Sequence, residues 1–62
     1  MKVIGFTEEA YERYEQAFDA GAVHCDSQSV IDVILKEGDA TYYGDEGEMF
    51  YFDKYDLEAV YQ

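Results

Sequence analysis

Proline is absent from this chain, cysteine occurs once, and basic side chains number only four. Each scarcity excludes something. A lone Cys25 closes no internal disulfide, which fits a reducing compartment. One cysteine and one histidine fall short of the ligand set of a structural zinc. Without proline, the glycines at 5, 21, 38, 44 and 47 have to punctuate the elements. No apolar run approaches the roughly 18 residues of a membrane span. The opening "MKVIGFTEEAYERYE" turns acidic before it supplies the h-region and cleavage site of a secretory signal. The expectation is a cytoplasmic protein of a host cell with no membrane partner. No repeat, linker or low-complexity tract divides the 62 residues, so one domain, 1–62, is expected.

What the chain has in excess is negative charge. Fifteen acidic side chains face four basic ones, a formal net of −11. A small soluble domain typically needs a net magnitude of only about 2–8. The surplus opposes compaction, and it repels DNA, RNA and anionic membranes, so no direct nucleic-acid binding is expected. The same field attracts a basic cleft and speeds encounter with it. A hydrophobic share of 48% and an aromatic share of 18% argue for a folded core nonetheless.

The pattern predicts an α+β domain, with one or two helices packed on a short antiparallel β-sheet. "KVIGF" reads as a strand. Thr7 can cap a helix through "EEAYERYEQAFDA" that stops at Gly21, with Glu8 and Glu9 in its first turn and Phe6 and Tyr11 placed as a hydrophobic staple. Ala10, Tyr11, Tyr14, Ala17 and Phe18 form its apolar stripe. Asp26 or Ser27 can cap a second helix ending at Gly38, with Val30, Ile31, Ile34 and Leu35 on one face. Its β-branched content leaves a strand open over 28–37, but helix is preferred. "ATYYGDEGEMFYFD" reads as a hairpin about "GDEG". The segment 57–62 is left undecided between a strand and a short helix capped by Asp56.

The acids are not strewn at random along this pattern. Glu8, Glu12, Glu15 and Asp19 fall within about 60° on the first helix, at roughly 100° per residue. At about 1.5 Å rise they make a line of roughly 16 Å, sparser than the phosphates of one strand at about 3.4 Å spacing. Only Glu9 has an i,i+4 cation, Arg13. The second half repeats the imbalance, with Asp45, Glu46, Glu48, Asp53, Asp56 and Glu58 against Lys54 alone. A strand over 48–53 turns Met49, Tyr51 and Asp53 one way and Phe50 and Phe52 the other. Phe50 and Phe52 then belong to the core, and Tyr51 to an outer face, where its ring and hydroxyl suit an interface.

Familiar chemistry is missing from the sequence. His24, Cys25 and Asp26 are contiguous, which does not build a nucleophile site, and Cys25 is expected to be a small buried hydrophobe. An EF-hand loop begun at Asp39 places Gly44 correctly but has Thr41, Tyr43 and Phe50 where ligands belong. There is no phosphate loop, dinucleotide fingerprint or GxSxG. No enzyme, cofactor or resident metal is expected.

In size, charge and aromatic content the whole chain is similar to the small acidic inhibitors encoded by phages and mobile elements: anti-restriction, anti-CRISPR and uracil-glycosylase inhibitor proteins. The similarity rests on no motif and carries over no functional residue. It implies a non-enzymatic nucleic-acid mimic that occupies the basic channel of a nuclease or CRISPR effector. The residues expected at that contact are Glu8, Glu12, Glu15, Asp19, Asp45, Glu46, Glu48, Tyr51, Asp53 and Asp56. Two alternatives are an adaptor or antitoxin-like module that binds through its apolar rings, and an ordinary halophile domain whose acids serve solubility. A homodimer is compatible with so short a chain.

Overall fold

Thr7 and Asp26 begin the two helices, and glycines close both. In the computed structural model, which describes residues 2–61, β1 (Lys2–Phe6) leads into α1 (Glu8–Asp19). Helix α2 (Ser27–Glu37) follows, then the strands β2 (Asp39–Tyr43) and β3 (Met49–Asp53). A 3-10 turn (Lys54–Asp56) leads into β4 (Leu57–Tyr61). The expected α+β class is what forms. The strands make two antiparallel ribbons, β1 with β4 and β2 with β3, and the helices pack against them.

Local chemistry accounts for the helix limits. The Thr7 hydroxyl accepts from the Ala10 N–H at 3.2 Å, and the Asp26 carboxylate accepts from the Ser29 N–H at 2.9 Å. Each satisfies one of the orphan donors of a first turn. Hydrogen bonding from the Ser29 side chain, and then from its N–H, holds the Asp26 carboxyl below the usual carboxylate range. At the far end of α1, the Gly21 N–H reaches the Phe18 carbonyl and the Ala22 N–H the Ala17 carbonyl, a Schellman closure with Gly21 at φ +79°. Gly38, at φ +94°, ends α2. So 28–37 lies in a helix, and 57–61 forms a strand.

The core gathers between the helices and both ribbons. Ala10, Tyr14 and Ala17 of α1 and Val30, Ile31 and Ile34 of α2 belong to it, with Phe6, Val23, Ala40 and Phe52 completing it. Phe52 is fully buried, its ring 5.5 Å from Phe6 and 6.4 Å from Tyr42. Burying one such side chain stabilises by about 1.5–3 kcal/mol. Along the hairpin, Ala40 and Phe52 point inward and Thr41, Tyr43, Met49 and Tyr51 outward, with Phe50 half-buried, as strand alternation requires.

Three residues of the expected apolar stripes lie outside it. Tyr11, Phe18 and Leu35 are 46%, 52% and 54% exposed. The helical stripes are wider than the surface that covers them. The Phe6 ring stacks on Tyr14 at 5.8 Å rather than stapling Tyr11. Cys25 is exposed rather than buried, since it sits in the bend before α2.

The hairpin turn is fastened to the end of α1. The Asp45 N–H donates to the Ala20 carbonyl at 3.0 Å, and the Asp45 carboxylate rests on Gly21. A Cβ on Gly21 would lie 2.7 Å from the Asp45 carboxyl carbon, besides occupying a left-handed backbone position. Gly21→Ala is therefore expected to cost about 1–2 kcal/mol from the backbone alone, and more from displacing Asp45. Urea unfolding measures the total, and amide exchange at residues 44–48 reports whether the tip loosens.

Candidate functional site

Helix α1 turns its buried alanines and its carboxylates in opposite directions. At about 100° per residue, Glu8, Glu12, Glu15 and Asp19 point roughly 180° away from Ala10 and Ala17. All four carboxylates are exposed. Docking of the hairpin tip brings Asp45, Glu46 and Glu48, also exposed, to the helix end where Asp19 lies. Two segments distant in sequence thus both bring exposed carboxylates to the C-terminal end of α1.

The helix terminus makes this placement more telling. A helix C-terminus carries a partial negative charge and favours cations. The last turn of α1 has no basic residue; it has Asp19, with Asp45 packed on Gly21 just beyond. Glu8 and Glu9 at the first turn are favourable for the helix, whereas Asp19 and Asp45 oppose it. Arrangements that break a local rule without local compensation concentrate at functional sites.

Asp53 and Asp56 are placed differently from the rest. Both are half-buried and consumed by structure. The Asp53 carboxylate accepts from the Tyr55 N–H, and Asp56 accepts from the Asp53 N–H, each at 2.9 Å, forming a reciprocal cap on the 3-10 turn. Asp56 also pairs with Arg13. That guanidinium donates to the Tyr51 carbonyl at 3.1 Å and lies 5.4 Å from the centre of the Phe52 ring. Arg13 thus serves a partner 43 positions away rather than Glu9 four positions back, and it ties α1 to the second ribbon. It is the one ion-paired cation among the described residues.

Tyr51 lies on the outer hairpin face, as strand alternation requires. Partial burial pushes its hydroxyl above the ordinary range, helped by the charges of Asp39 and Asp53. Burial does the same to Tyr14, which donates to the Cys25 carbonyl at 2.9 Å, and to Tyr42. All three folded-state values exceed the unfolded one, so the folded state holds these protons more tightly. Their contribution is complete below about pH 10 and declines as pH rises through the folded values. Urea midpoints are expected to fall on the alkaline side of about pH 10, and Tyr14→Phe is expected to flatten that decline.

Among the described residues, no three His, Cys, Asp or Glu side chains gather as a metal site. No helix there is long and apolar enough to cross a membrane.

No protein-family model, curated protein or solved structure matches the chain. Function has to be read from this surface itself.

Beside the acidic line runs part of the apolar stripe of α1. Tyr11, Tyr14 and Phe18 form a ladder along α1, with ring centres 5.8 and 6.3 Å apart. With Glu15 and Asp19 they line a shallow groove of about 210 Å³. Helical spacing showed that these rings share a side. It did not show that the neighbouring elements leave half of that side open.

Proposed function

We propose that this protein is a non-enzymatic inhibitor that mimics nucleic acid. Its anionic line would dock in the Lys/Arg-lined channel of a nuclease or CRISPR effector and exclude the DNA or RNA that belongs there. The observation that carries the reading is the exposed acidic line of Glu8, Glu12, Glu15 and Asp19 on α1, with Asp45, Glu46 and Glu48 on the hairpin tip docked at the negative end of the helix dipole. An anion array placed against its own helix dipole gains where a cationic partner neutralises it. A phage or mobile-element origin and action in the host cytoplasm belong to the same proposal.

Affinity capture from the native host tests it. The captured protein is expected to bind nucleic acid, to leave the beads as salt rises, and to be released by competing duplex DNA. A bound protein that resists about 1 M salt, where screening acts within about 3 Å, and ignores competing DNA contradicts the reading. Exposed Tyr11, Phe18, Leu35, Tyr43 and Met49 favour a second reading, an interaction module held by apolar contact. Exchanging the α1 acids for amides separates the two, because an apolar interface keeps its affinity.

A further inference from the structure

We infer that the groove of Tyr11, Tyr14, Phe18, Glu15 and Asp19 receives an arginine side chain of the basic partner. This inference rests on the cationic partner proposed above and specifies which cation is read and by what. Three observations converge on the groove. Two half-exposed rings flank it, with Tyr14 as its floor. Two carboxylates rim it. It lies along the last turns of α1, whose negative pole adds to the attraction for a positive group.

A guanidinium suits that set better than an ammonium. It is planar, stacks on ring faces and offers a fork of donors to a carboxylate, whereas lysine presents a compact and strongly hydrated charge. The chain already holds one arginine in this way. Arg13 lies over Phe52 and donates to Asp56, a ring and a carboxylate together. The groove repeats that chemistry on the opposite flank of α1, and among the described residues no cation of the chain pairs with Glu15 or Asp19. An arginine-binding role for two half-exposed aromatic residues beside two exposed carboxylates also explains what solubility does not: rings left in water on the helix.

Calorimetric titration with oligoarginine and oligolysine peptides of equal length, at low salt, tests the inference. The wild-type chain is expected to prefer oligoarginine by about tenfold. Tyr11→Ala/Phe18→Ala is expected to erase most of that preference while still binding both peptides through the remaining carboxylates. Tyr11→Leu/Phe18→Leu, which keeps apolar bulk and helix propensity but removes the rings, should behave alike and guards against a folding defect in the alanine pair. Glu8→Gln/Glu12→Gln should weaken both peptides and leave their ratio intact. If both ring variants retain the full preference, the groove is not an arginine site, and the electrostatic reading stands without it. If neither peptide binds the wild-type chain, the inference and the proposed function fall together.

Discussion

Exchanging Glu8, Glu12, Glu15 and Asp19 together for Gln and Asn is expected to leave the domain folded and to weaken partner binding by about tenfold to a thousandfold, the sum of four individually small exposed contacts. All four are exposed, and among the described residues Glu12, Glu15 and Asp19 take no part in a salt bridge, so removing their charge leaves the core untouched. Asp19→Asn also relieves the unfavourable charge at the helix C-terminus. The variant should therefore melt no lower than the parent, and its melting temperature should depend less on salt. Single exchanges should each have small effects, because exposed charges act collectively through a screened field. Circular dichroism establishes the fold, and titration against the captured partner gives the affinity. Loss of folding in this variant would mean that the acids serve the structure rather than a partner.

Phe52→Ala is expected to unfold the protein. Phe52 is fully buried and central, touching Phe6, Tyr42 and the Arg13 guanidinium that joins α1 to the second ribbon. Truncating such a ring typically costs about 3–5 kcal/mol. At about 0.05–0.15 kcal/mol per residue, a domain of this size has a total stability of the same order. The loss should appear as a collapsed near-ultraviolet signal and an absent cooperative urea transition at 25 °C. Phe50→Ala, on the same strand face but only half-buried, should remain folded. Comparing the two tests whether the core sits where the buried residues place it.

Local signals carried the elements well. Thr7 with Gly21, and Asp26 with Gly38, bracket both helices because capping is chemistry within a few residues. Alternation sorted Phe52 from Tyr51 because a strand has only two faces. The failures are of another kind. Arg13 has a local candidate in Glu9, yet Asp56 wins from 43 positions away because the 3-10 turn holds it rigidly beside α1. Tyr11, Phe18 and Leu35 obey helical spacing but lie at the margins of their stripes, and the extent of cover depends on the neighbouring elements. The division of the four strands into two ribbons is likewise a matter of tertiary packing.

The acidic site was legible in part for the same reason. The line on α1 follows from helix geometry alone. The joining of Asp45, Glu46 and Glu48 to its end does not, since it depends on the bond from Asp45 to Ala20 and on a glycine that leaves room for the Asp45 carboxylate. Asp53 and Asp56 looked equivalent to the others in sequence. Their backbone partners became visible only with the 3-10 turn in place.

The most direct test of the central claim is the dependence of affinity on salt. Binding of the wild-type chain to its captured partner should weaken steeply as sodium chloride rises, with a linear slope on logarithmic axes, as for ligands that release counterions. The variant lacking the four α1 charges should give a distinctly shallower slope. Equal, flat slopes for both proteins would show that the acidic face does not hold the partner.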